Sequence, residues 1–115
     1  MAKSPEKSSS TLSEKEAAYI SQKIKIYNIN FIQYSIMNVL YEKNDISQQQ
    51  LAEVLALNKR EITKAVKGLI AEGYIERITD EKDKRAYKIN PTTKGEAVKK
   101  AILGIKDKWN KQEKD

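Results

Sequence analysis

Residues 48–95 read QQQLAEVLALNKREITKAVKGLIAEGYIERITDEKDKRAYKINPTTKG, and the architecture follows from this stretch. The spacing predicts a short helix over 48–55, a tight turn at Ala56 and Leu57, and a second helix that starts at Asn58 and stops at Gly73. Leu51, Leu55, Leu57, Ile62 and Val66 recur at the interval that packs two helices at a steep crossing, with the small Ala52 where they would touch. Two strand-like runs follow at 74–79 and 86–90, joined by a charged loop over 80–84 and closed by Pro91. A helix-turn-helix followed by a charged hairpin wing presents its second helix to the DNA major groove.

That second helix carries the chemistry. At about 100° per residue, pointing Ile62, Val66 and Leu69 inward puts Arg60, Lys64 and Lys67 on the opposite face. Thr63 falls at the edge of that face and Lys59 nearer its side. Arginine reads guanine bidentately, threonine can touch a thymine methyl, and lysine suits phosphates or guanine. Charged residues are also the ordinary outside of any helix. The turn before this helix and the wing after it favour the functional reading. Asn58 caps the helix, with Glu61 three residues on, and is assigned to DNA contact with the basic residues that follow it; Gly73 supplies the left-handed residue that ends the helix. Ser47, Gln48 and Gln49 open the preceding helix, where free N–H groups cap the turn and equally favour a phosphate oxygen. On the hairpin, Arg77, Lys82, Lys84, Arg85 and Lys88 are assigned to DNA contact.

Outward from the motif, 31–43 is apolar on most sides and reads as the central helix of the core. Ile46 adds a short strand. Ahead of it, Ser13 and Glu16 have capping-box spacing, and Ile20, Ile24 and Tyr27 share a face of a first helix that Asn28 to Asn30 breaks. Behind the wing, Thr92 or Thr93 caps a last helix striped by Val98, Ile102, Ile105 and Trp109. Both terminal helices look too isolated to bury their stripes on so small a winged core. Those seven stripe residues are therefore assigned to a dimer interface. The fold expected is mainly α with a small β-hairpin wing, a winged helix-turn-helix in the order α-α-(β)-α-α-β-β-α. It divides into a disordered tail (1–11), an N-terminal dimerisation helix (12–30), the DNA-binding domain (31–91) and a C-terminal dimerisation helix (92–115).

Composition agrees. The 115 residues suit one domain with a modest core, and a net charge of +6 suits a polyanionic partner. With no cysteine and no histidine, disulfides, thiol chemistry and the common nucleophile–base pairs are excluded, and a metal site would need carboxylates alone. No catalytic constellation and no cofactor are expected. No apolar run approaches the roughly 20 residues that span a bilayer. MAKSPEKSSST lacks the apolar stretch of a signal peptide. A cytoplasmic protein is expected.

The run from Leu51 to Gly95 resembles the MarR family of winged helix-turn-helix regulators. The matching pieces are Leu51-Ala52, the Thr63-Lys64 pair, the segment from Gly73 to Arg77, Asp83 and Arg85 on the wing, and the Thr-x-Lys-Gly step from Thr92 to Gly95. The resemblance implies a homodimeric regulator of transcription, typically a repressor, on a near-palindromic double-stranded site. It implies interleaved terminal helices, a wing in the adjacent minor groove led by Arg85, and Asp83 bracing the wing through a nearby arginine. A narrow minor groove attracts an inserted arginine on physical grounds alone. Many relatives hold an effector between the dimer helices and the DNA-binding lobe. Tyr19, Tyr27, Tyr34 and Trp109 are the candidate lining, and the sequence names no effector. Three departures stand out. Pro91 replaces the usual Leu before the threonine. Only one helix follows the wing, giving a chain of SarA-like length. The Cys and His used by some members for peroxide or zinc sensing are absent. The alternative is an architectural or replication-associated winged protein without a regulatory ligand.

Overall fold

A computed structural model describes residues 13–79, 82 and 87–114. The tail assigned to 1–11 and the wing residues Asp83, Lys84 and Arg85 lie outside these described residues.

The chain opens with α1 (Glu14–Lys23), capped by Ser13, whose hydroxyl accepts from the Glu16 N–H at 3.1 Å. Glu14 and Glu16 in its first turn suit the positive end of the helix. One tighter 3-10 turn, Ile24–Tyr27, continues it, and Asn28 at φ 62° ends it in the left-handed region. The central helix α2 (Phe31–Glu42) begins with a capping box. Gln33 N–H donates to Asn30 Oδ1 and Asn30 N–H to Gln33 Oε1, both at 2.8 Å. Its buried Ile36, Met37 and Leu40 are the centre of the core.

β1 (Ile46–Ser47) leads into the motif helices α3 (Gln48–Leu55) and α4 (Lys59–Ala71). β2 (Ile75–Thr79) and β3 (Tyr87–Pro91) form the wing. The sheet is antiparallel in the order β1-β3-β2, with Ile46 opposite Ile89 and Arg77 opposite Ile89 on its other side. Asp45 and Asn90 lock β1 to β3 with two reciprocal 2.8 Å bonds. Pro91, expected to end the second strand, is its last residue. Among the described residues no helix is long and apolar enough to cross a membrane.

The expected single C-terminal helix is two. α5 (Thr93–Ala97) stops at Val98, and α6 (Lys99–Lys114) begins at the next residue. Two contacts hold α5 in place. Gly95 lies so close to Tyr74 that a Cβ there would stand 2.1 Å from the Tyr74 carbonyl oxygen. Tyr41 Oη donates at 2.6 Å to the Gly95 carbonyl, the group a continuous α-helix would offer to Lys99.

The terminal stripes need correction. Ile20, Ile24, Ile102 and Ile105 are buried inside their own chain. α1 and α6 pack on each other and both pack on α2. The physical reason is that α2, apolar on most sides, has a face left for the terminal helices after seating α4. Tyr27, Val98 and Trp109 are half-buried, the last with its ring centroid 5.3 Å from that of Tyr19. The outward apolar residues of this region are Ile26 and Leu103, at 81% and 38% exposure.

Ile102 is fully buried, so Ile102→Glu is expected to unfold the chain rather than separate subunits. The loss should be at least about 3 kcal/mol, combining the lost apolar packing with an unpaired carboxylate. Denaturant unfolding measures it, and a folded monomeric variant would contradict the burial. A second expectation concerns alkali. Burial first, then the negative charge of Glu96, raise the Tyr41 hydroxyl above its ordinary pKa of 10.0. The folded state thus holds this proton more tightly than the unfolded chain. That contribution is complete below about pH 10 and is lost as pH climbs above it. Tyr41→Phe should cost about 1 kcal/mol at neutral pH and flatten the alkaline limb of a stability–pH curve.

Candidate nucleic-acid interface

The two motif helices are set by local chemistry at every end. Ser47 caps α3 through a full capping box with Gln50, at 3.0 and 2.9 Å. Asn58 caps α4 through another with Glu61, at 2.8 and 3.2 Å. The side chains of Ser47 and Asn58 are therefore occupied by capping. The turn between the helices is a Schellman motif. Leu57 N–H reaches the Ala52 carbonyl at 2.9 Å, Ala56 N–H reaches Glu53 at 3.3 Å, and Ala56 sits at φ 55°. The far end of α4 repeats the motif with Gly73 at φ 84°.

α4 buries Ile62, Ala65, Val66 and Leu69 and turns Lys59, Arg60, Lys64 and Lys67 to solvent. With the half-buried Thr63 they line one open groove. The structure thus brings together the five recognition-helix residues assigned from sequence. Gln49 is exposed and Gln48 half-buried at the start of α3, and Gln48 Nε2 donates to Thr63 Oγ1 at 2.9 Å. Every cation of the groove is unburied and costs nothing in desolvation until a partner arrives.

Three ties hold this helix, and sequence reasoning missed all of them. At its middle, the buried Gln33 donates from Nε2 to the Ala65 carbonyl at 3.3 Å. Gly68 makes room, since a Cβ there would stand 2.4 Å from Gln33 Nε2. At its C-terminal end, Asn28 Nδ2 donates to Glu72 Oε2 and Lys94 Nζ to the Glu72 carbonyl, each at 2.6 Å. Tyr74 adds the third, donating from Oη to the Tyr27 carbonyl at 2.8 Å under the Lys94 ammonium, which lies 4.6 Å from its ring centroid. A lysine at the negative end of a helix is favourable. The signals were present. Asn30 and Gln33 have capping-box spacing, and Lys94 lies inside the Thr-x-Lys-Gly step.

The wing residues divide. Arg77 is exposed, with its guanidinium carbon 5.4 Å from the Tyr87 ring centroid. It stands opposite Ile89, so the next residue along, Lys88, points to the other face of the sheet. Arg77 and Lys88 therefore lie on opposite faces of the wing. Lys82 is exposed.

The aromatic candidates also divide. Tyr34 lines a cavity of about 800 Å³ with Phe31, Asn38, Glu42, Leu103 and Lys106. Tyr19 and Tyr27 line a smaller cleft beside Gly104 and Lys108, and Trp109 rests on Tyr19. No group of three or more Asp or Glu among the described residues could hold a metal ion.

Residues 27–86 match the MarR family over just more than half of the chain. The chain belongs to the MarR family. A solved MarR transcriptional regulator from Methanosarcina mazei Go1 superposes with a TM-score of 0.84 at 32% identity, covering 92% of this chain and 76% of that one. The structure of reduced AbfR bound to DNA superposes with a TM-score of 0.74 at 26% identity, over 85% and 70% of the two chains. An HTH-type transcriptional regulator of Bacillus subtilis (strain 168), YybA, is 35% identical over 66 residues, 57% of this chain and 44% of the relative. This chain spans about half the length of the curated relatives it matches, from 37% to 62%. The winged-helix fold expected from sequence is the one found.

Within this family fold, the αL position at Ala56 is occupied by a residue with a Cβ. Ala56→Gly should raise stability by about 1 kcal/mol, because the left-handed conformation penalises the Cβ. Thermal and denaturant unfolding check it, and destabilisation by the glycine would contradict the turn geometry.

Proposed function

We propose that this chain is a sequence-specific double-stranded DNA-binding transcriptional regulator, a repressor acting as a homodimer on a near-palindromic site. One observation carries the reading: α4 presents Lys59, Arg60, Thr63, Lys64 and Lys67 along a single open groove on a helix fixed at both ends and in the middle. A face built only for solubility has no need of that rigidity. Family membership and the structural likeness to AbfR, solved on DNA, support it. In this reading α4 enters the major groove, the first turn of α3 meets phosphate, and Arg85 reaches the flanking minor groove with Asp83 bracing the wing. Dimerisation uses the outward surface of the α1–α6 pair, where Ile26 and Leu103 are exposed, while the buried isoleucines beneath keep that pair in place. No enzymatic activity is assigned, and the cytoplasm is the site of action.

Binding should weaken steeply with salt, with a log–log slope of about −0.9 for each phosphate neutralised. Lys67→Ala should weaken all sequences alike and reduce that slope. Arg60→Ala should relax preference at one base pair of each half-site by about 1–3 kcal/mol. Titration at several salt concentrations, footprinting and light scattering together test the reading. A flat salt dependence, broad coating of DNA without a protected palindrome, or a persistent monomer would each remove the corresponding part.

A further inference from the structure

We propose that Gln48 is a positioning residue that biases the Thr63 hydroxyl toward donating, so that the base pair facing Thr63 is read preferentially through an acceptor edge. The inference rests on the DNA-binding reading above and adds the sign of one base contact. Gln48 is the first residue of α3, and its Nε2 lies 2.9 Å from Thr63 Oγ1 across the motif. Thr63 is half-buried at the inner edge of the groove lined by Lys59, Arg60, Lys64 and Lys67. A threonine hydroxyl normally rotates to donate or accept, and so reads either kind of base edge. An amide N–H aimed at its oxygen narrows that freedom. One of its two lone pairs is filled, and the O–H, which cannot point at the amide, is kept for donation.

The major-groove edges of the bases sort cleanly against such a donor. Guanine offers the acceptors N7 and O6 and thymine the acceptor O4, whereas cytosine offers only the N4 donor. Guanine, thymine or adenine (through its own N7) is therefore favoured facing Thr63, and cytosine is least favoured. Gln48 also opens the helix whose first turn suits a phosphate. The placement of α3 on the backbone and the polarity of the contact on α4 thus share one hydrogen bond.

The test reverses the bond. In Gln48→Glu the carboxylate only accepts, so Thr63 must donate to it and turn its lone pairs to the DNA. A glutamate in the first turn of a helix suits the helix dipole, so the fold should hold. Bound DNA is selected from a random pool with the wild type, Gln48→Glu, Gln48→Met and Thr63→Val, with melting temperatures followed alongside. One base pair per half-site should lose its preference by roughly fivefold in Thr63→Val, the worth of one hydrogen bond. Gln48→Met should weaken the preference at that same pair. Gln48→Glu should move it toward cytosine, with the other positions unchanged, an outcome that a merely structural glutamine would not give. Should Gln48→Glu fail to fold, Gln48→Met decides, and an undiminished preference in it overturns the proposal. Selection of the wild-type base by Gln48→Glu, or an unaltered motif with Thr63→Val, also overturns it while leaving the regulator reading intact. A wild-type chain that selects no sequence at all removes both.

Discussion

Burying an amide without partners costs more than most side chains return, yet Gln33 is buried and the second motif helix leans on it. Its oxygen accepts from the Asn30 N–H, closing the start of α2, and its nitrogen donates to the Ala65 carbonyl in the middle of α4. One carboxamide therefore sets where the central helix begins and how deeply the second motif helix sits against it. Gly68 completes the arrangement by leaving the space into which the amide reaches. An apolar residue of the same size would fill that space but carry no preference for one sliding position of α4 over another. The hydrogen bond supplies direction where packing supplies only depth.

The far end of α4 is held by residues that come later in the chain. Thr92 donates its N–H to the Tyr74 carbonyl at 2.9 Å and its hydroxyl to the Gly73 carbonyl, while Lys94 reaches Glu72. Gly95 lets the first turn of α5 lie directly on that segment. The Thr-x-Lys-Gly step thus has a physical meaning: each named residue supports the chain where it leaves α4 for the wing. Asn28, from the other terminal region, grips the Glu72 side chain. Both terminal regions of the chain meet at the end of the one helix whose orientation matters most.

What could be read from the sequence was local. The capping boxes at Ser47 and Asn58, the left-handed Gly73 and the charged face of α4 all depend on residues within a turn or two of one another. Asn30 and Gln33 carry the same local signal, but Asn28 to Asn30 reads more obviously as a break. The opposite faces of Arg77 and Lys88 follow from the parity of a strand once its register is known. The rest depends on distance. Nothing near Ile20 or Ile102 says that the two lie in one core, 82 positions apart by their numbers. The same holds for Tyr41, whose bond to Gly95 accompanies the break in the last helix. The wing tip, where Asp83 and Arg85 were assigned, lies outside the described residues.

Trp109 is the chain's sole tryptophan, and it rests against Tyr19 on the side of the molecule held by α1 and α6. None of the groove on α4 contains an aromatic ring. The protein thus carries an optical reporter of its own. Indole emission follows the closure of the terminal helices, and excitation passed from the neighbouring phenol fades when the two rings part. Events at the nucleic-acid face reach that reporter only through the protein between. A change in its colour on adding DNA would record a rearrangement of the α1–α6 pair, whether from the neighbouring lobe or from a second subunit on that face.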